Sequence, residues 1–153
     1  MLCMAKSRAV KQGVFVQAPP PKVFEALTEP RLLKKWFLES ATLSPRKGGN
    51  YTFTWQGGYS HSGKVLDYAK DRKLSLSWPA YLKGNLLGTT RATFKIKPKD
   101  DGTVLEMTHS GFKGGNQWVE LYGAVCSGWA YFLTNLKSVL QYGRDLRSPY
   151  DRI

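Results

Sequence analysis

Apolar positions along this chain follow two rhythms. A two-residue alternation runs through most of its length, and a spacing of three and four takes over near the end. Val10, Gln12, Val14 and Val16 share one side of a first predicted strand, which runs from Val10 to Gln17. Ala18-Pro19-Pro20-Pro21 stops it, and Pro20 or Pro21 suits the first turn of a helix whose apolar face is Val23, Phe24 and Leu27. Thr28-Glu29-Pro30 breaks that helix and restarts the chain, with Thr28 as a candidate cap and Pro30 opening a second short helix that ends at Trp36.

A run of strands follows. Glu39–Leu43 gives a weak signal, and Pro45-Arg46-Lys47-Gly48-Gly49 reads as a turn. Tyr51, Phe53 and Trp55 alternate with Thr52 and Thr54, a strand with one aromatic face. Tyr59–Ala69 is longer and holds Gly63, which suggests a bulge. Leu74, Leu76 and Trp78 alternate with serines, Pro79–Leu87 reads as a loop, and Thr89–Lys97 and Thr103–Ser110 form a hairpin about Pro98-Lys99-Asp100-Asp101-Gly102. The final pattern is helical: Trp118, Leu121, Tyr122, Val125, Trp129, Phe132, Leu133 and Leu136 recur at three and four. About 25 residues at 1.5 Å each make a helix of roughly 37 Å, with Asn116 as its expected cap and Gly143 as its stop. The pattern predicts an α+β protein of six to seven antiparallel strands. Each strand offers one apolar face, and only the C-terminal helix is long enough to cover it. The sheet therefore curves around that helix. Residues 10–143 form this domain, residues 1–9 are expected to be disordered or extended, and residues 144–153 are a tail.

Composition adds two facts. Aromatics make up 13% of the 153 residues, and the formal charge is +12. The charge attracts polyanions or acidic partners. It is spread thinly: residues 101–143 hold only Lys113 and Lys137 against three acids, and no block of like charge appears. An acidic protein partner fits this surface better than nucleic acid, for which no reading motif exists. Cys3 and Cys126 have no metal or redox spacing, no apolar segment is long enough for a membrane span, and the first eight residues lack the apolar core of a signal peptide. A reducing cytoplasm is the expected setting.

Chemistry is sparse. There is no nucleophile motif, no phosphate loop and no metal spacing, so neither metal nor cofactor is expected. Alternation places His109 on the side of Leu105 and Met107, facing the helix, which makes it the single weak candidate for acid–base work. His61 falls at an edge or cavity mouth near Tyr59. The aromatic residues are the better guide, because rings gathered around one gripped helix leave an apolar pocket. Its expected lining from the sheet is Phe53, Trp55, Tyr59, His61, Trp78, Phe94, Met107 and His109. The helix adds Trp118, Tyr122, Trp129 and Phe132. The opposite side of the helix, with Glu120, Gly123, Ala124, Ser127, Ala130, Tyr131, Thr134, Asn135 and Ser138, carries one charge, which suits a helix-to-helix contact in a homodimer.

Several segments, in this order, resemble a known family. They are Ala18–Pro30, Leu33-Lys34-Lys35-Trp36-Phe37, Gly48-Gly49-Asn50-Tyr51-Thr52-Phe53, Gly63-Lys64-Val65, Leu74-Ser75-Leu76-Ser77-Trp78, Gly102–His109, and Gly128-Trp129 with Leu133 and Leu136. Together they are similar to the family named after the activator of the ninety-kilodalton heat-shock-protein ATPase, within the START-like, birch-pollen-allergen-like superfamily. The resemblance implies a helix-grip fold with a cavity between helix and sheet, and no fixed activity. The inward-facing aromatic set without a catalytic signature makes a small hydrophobic or aromatic ligand the first expectation. A chaperone-associated or stress-response interaction module is the second, and a cyclase- or hydrolase-like enzyme using the same cavity the third.

Overall fold

Prolines set the first corners of the chain as their fixed φ requires. Pro20 opens α1 (Pro20–Thr28) and Pro30 opens α2 (Pro30–Trp36), directly after β1 (Arg8–Val16). The structure, a computed structural model, describes residues 8–151. The expected extended N-terminus therefore lies outside the described residues up to position 7, Cys3 included. The remaining elements are β2 (Ser40–Leu43), β3 (Asn50–Thr54), β4 (Ser60–Ala69), β5 (Lys73–Leu82), β6 (Asn85–Lys99), β7 (Gly102–Phe112) and α3 (Asn116–Tyr142). The strands form one antiparallel sheet of seven in the order β1-β7-β6-β5-β4-β3-β2. The fold is the expected α+β grip: a curved sheet, two short helices after the first strand, and a long helix across the inner face.

Register decides which residues meet the helix. Val10↔His109, Ala92↔His109 and Phe94↔Met107 are cross-strand partners, so one inward row runs through β1, β7 and β6. These rows join Leu74, Leu76 and Val65 with Trp129, Leu133 and Leu136 of α3 in one core. The α1–α2 corner is fastened to it by Trp36, whose indole N–H donates to Ala26 O at 2.8 Å.

Local expectations fail at six places. Pro79–Leu87 is not a loop, because β5 and β6 continue to a tight turn at Lys83 (φ 50°) and Gly84 (φ 81°). Two positive φ values are what a two-residue hairpin needs. Pro79 is tolerated because it pairs with Thr89 on one side and lies beyond the paired stretch of β4 on the other. Trp55 falls just past β3. The irregularity of β4 lies between Val65 and Asp67, not at Gly63. A Cβ at Gly63 would stand 2.7 Å from the Ser77 carbonyl oxygen and 2.6 Å from Tyr51, so close approach explains this glycine. At the helix entry Gly115 (φ 102°) is the cap and Asn116 is already helical; the Thr28 hydroxyl bonds back to Phe24 O within α1. Asn135 does not belong to the outer face of α3. It is wholly buried, and Gly143 (φ 70°) ends the helix as expected.

Candidate functional site

The sheet and α3 do not close completely at the β3–β4 end. A cavity of about 570 Å³ remains there, within the size range of small-molecule sites. Alternation along β4 turns His61 inward, β5 contributes Trp78, and the turn from β3 into β4 contributes Trp55, Gln56 and Tyr59. Val125, Gly128, Trp129 and Phe132 line it from α3, at the three-and-four spacing of one helical stripe. Phe37, at the exit of α2, packs at 4.9 Å from Phe132 and 5.5 Å from Trp129 (ring centroids). Tyr131 and the segment after α3, through Arg147, Ser148 and Asp151, complete the wall.

Two histidines sit in or behind this wall in different states. His61 is 5% exposed, with ring centroids 4.6 Å from Trp78 and 4.9 Å from Trp55. Its Nδ1 lies 3.4 Å from the Tyr59 hydroxyl, and its Nε2 has no hydrogen-bond partner among the described residues. Burial pushes its pKa down to about 4, so the ring is neutral at pH 7. His109 has both nitrogens engaged. Trp129 Nε1–H donates to Nδ1 at 3.0 Å, and Nε2 lies 2.6 Å from the Thr90 hydroxyl. Burial and the proximity of His61 lower its pKa to about 3.

The polar side of the cavity comes from the C-terminal segment. Buried Asn135 holds it: Oδ1 accepts from Leu146 N at 2.7 Å, and Nδ2 donates to Trp36 O at 2.8 Å and to Asp145 Oδ1 at 3.0 Å. Arg147 is committed as well. Nε and Nη2 donate to the Asp145 carboxylate, Nη2 also to Lys34 O at 2.7 Å, and Nη1 to Leu38 O at 3.2 Å. Burial works to raise the Asp145 carboxyl, but the hydrogen bonds from Arg147 and Asn135 outweigh it and hold the pKa low. Tyr131 donates its hydroxyl proton to Asp151 Oδ2.

Six expected lining residues therefore meet: Trp55, Tyr59, His61, Trp78, Trp129 and Phe132. Phe53, Phe94, Met107 and His109 lie in the packed core behind the wall. Trp118 sits away from it, its ring against Phe112 and over Gly88, and Tyr122 donates to Ala9 O at 3.3 Å. Sequence reasoning missed Phe37, Gln56, Val125, Gly128, Tyr131, Arg147, Ser148 and Asp151. Val125 and Gly128 were legible in principle, since both follow the helical stripe of Trp129 and Phe132. The tail residues carried no periodic signal. No cluster of metal-ligating side chains exists among the described residues.

The cavity wall is largely aromatic, and its one imidazole nitrogen without a partner among the described residues donates or accepts according to tautomer. Fold and cavity together define a helix-grip protein of the START-like class. A profile of the Activator of Hsp90 ATPase homolog 1-like proteins matches residues 17–141, and the chain belongs to that family. Among solved structures it is similar to a Mesorhizobium loti protein at 28% identity and TM-score 0.77, covering 87% of this chain and 96% of that one. The Aha1 dimer of Colwellia psychrerythraea shares 23% identity with TM-score 0.75, covering 90% and 98%. CalU16 of Micromonospora echinospora shares 28% with TM-score 0.62, covering 85% and 73%. No curated protein matches the chain. Among the described residues no helix is long and apolar enough to cross a membrane.

Proposed function

We propose that this protein binds a small hydrophobic, ring-bearing molecule in the cavity between its sheet and α3. The observation that carries the reading is His61: a buried imidazole whose Nε2 lacks a partner, set among Trp55, Trp78 and Tyr59 in the wall of an apolar cavity. An unpaired buried nitrogen costs about 1–3 kcal/mol, which a ligand donor or acceptor recovers. The hydroxyl beside His109, that of Thr90, is committed to the Trp78 carbonyl, and among the described residues no carboxylate hydrogen-bonds to either histidine, which favours binding over hydrolysis. Titration with N-phenyl-1-naphthylamine tests the reading. Saturable energy transfer from the wall tryptophans is expected, and a flat titration rejects it.

A second reading concerns assembly. The outer stripe of α3 is small and exposed at Gly123, Ala124, Ser127, Ala130 and Thr134. The Colwellia relative is a dimer. We propose a homodimer packed through this stripe. Sedimentation velocity on the wild type and on Ala124→Glu checks it, with a dimer expected for the first and a monomer for the second.

A further inference from the structure

The two polar features of the cavity differ in depth and in chemistry. At the deep end is His61, neutral, 5% exposed and unpartnered at Nε2. At the rim is Asp151, exposed, with Oδ2 already accepting from the Tyr131 hydroxyl and from Ser148 N. The only cation among the described lining residues is Arg147. Its guanidinium is spent on the Asp145 carboxylate and on the Lys34 and Leu38 carbonyls, and its side chain is 10% exposed. Among the described residues the cavity thus holds no free positive group, although the chain as a whole carries +12. Surface charge attracts anions towards the molecule. It does not neutralise one seated against a carboxylate in an apolar wall, where desolvation of a charge is costly.

We propose that the cavity takes an uncharged aromatic molecule with a hydrogen-bond donor, a hydroxyl or an amine, at its solvent-side end, and rejects the same ring body carrying an anionic group. The rings occupy the space between Trp55, Trp78 and Phe132. The donor meets the Asp151 carboxylate, and an acceptor or donor within the ring body meets His61 Nε2. This inference rests on the ligand-binding reading above and adds the selection rule.

Two probes separate the two claims. N-phenyl-1-naphthylamine and 1-anilinonaphthalene-8-sulfonate share one ring body and one secondary amine and differ by a sulfonate. Each is titrated by tryptophan energy transfer into the wild type, Asp151→Asn and Gly128→Phe, at low and moderate salt. Gly128 lines the cavity with open space beyond its Cβ position, so phenylalanine there fills the site and exposes binding elsewhere on the basic surface. The amine is expected to bind at least about ten-fold more tightly than the sulfonate, about 1.4 kcal/mol. Asp151→Asn narrows that gap and Gly128→Phe removes the amine signal. Equal or tighter cavity binding of the sulfonate overturns the selection rule and leaves the ligand reading standing. An unchanged gap in Asp151→Asn overturns the role given to that carboxylate. If neither probe gives a saturable signal that Gly128→Phe removes, both the ligand reading and this inference fall.

Discussion

The indole N–H of Trp129 donates to Nδ1 of His109 across 3.0 Å, and this bond fixes the tautomer of the imidazole. With Nδ1 accepting, the neutral ring carries its proton on Nε2 and donates to Thr90 Oγ1 at 2.6 Å. The Thr90 hydroxyl then donates to Trp78 O at 2.8 Å. One directed chain therefore ties α3 to β7, β6 and β5, directly behind Trp78 and Trp129, two of the three indoles that line the cavity. His109 is spent on holding the wall, and neither nitrogen is left for a reacting group.

Removing the acceptor from this chain leaves the Trp129 N–H buried without a partner. His109→Leu keeps the volume and is expected to cost about 1–3 kcal/mol. Urea denaturation checks it, with a lower midpoint at unchanged slope.

Acid should loosen the fold through both histidines. Their folded pKa values, about 4 for His61 and about 3 for His109, lie below the ordinary 6.5. The unfolded chain therefore binds more protons in this window. Stability is complete above about pH 6.5 and falls as pH drops, with these two groups adding a slope of up to about 2.7 kcal/mol per unit. Thermal melts from pH 7 to pH 4 on the wild type and His61→Gln measure one share of it. A slope unchanged in the variant contradicts the assignment to His61.

Two glycines should respond in opposite ways. Gly63→Ala drives a Cβ to 2.7 Å from the Ser77 carbonyl oxygen, a backbone atom with little freedom, and is expected to cost about 1–3 kcal/mol. Gly128→Phe meets open space and gains helix propensity, so its stability should stay within about 1 kcal/mol of the wild type. Chemical denaturation of both variants compares them directly.

Asn135→Ala removes three hydrogen bonds and strands Trp36 O and Leu146 N. The C-terminal segment has little apolar anchorage, with Leu146 45% and Tyr150 87% exposed. It should detach while the domain stays folded. Hydrogen exchange at the amides of residues 146–148 is expected to accelerate at least about ten-fold while the amides of β6 and β7 stay protected.

The period-two and three-four patterns set the element order, the single long helix and the inward faces of β3, β4, β6 and β7, because burial on one face imposes a period on the chain itself. The same logic failed at Pro79–Leu87. Proline and glycine there suggested a loop, yet Pro79 lies beyond the stretch of β5 paired with β4, and a two-residue turn lets the strands continue. Asn135 failed for the converse reason. A polar residue reads as exposed unless its partners are known, and its partners are Trp36, Asp145 and Leu146, far from it or beyond the helix end.

What the sequence determined by itself was a sheet curved around a helix with aromatic rings turned inward. Which rings close the core and which leave space was decided by tertiary structure alone. His61 and His109 show why: both lie on inward faces of strands, and periodicity cannot tell them apart. The indole N–H of Trp129, one turn of α3 away from Val125, donates to His109 and not to His61. The C-terminal segment folds back to place Asp151 at the cavity rim, and His61 keeps one nitrogen unpaired. Those outcomes depend on distances between elements, which no one-dimensional pattern records.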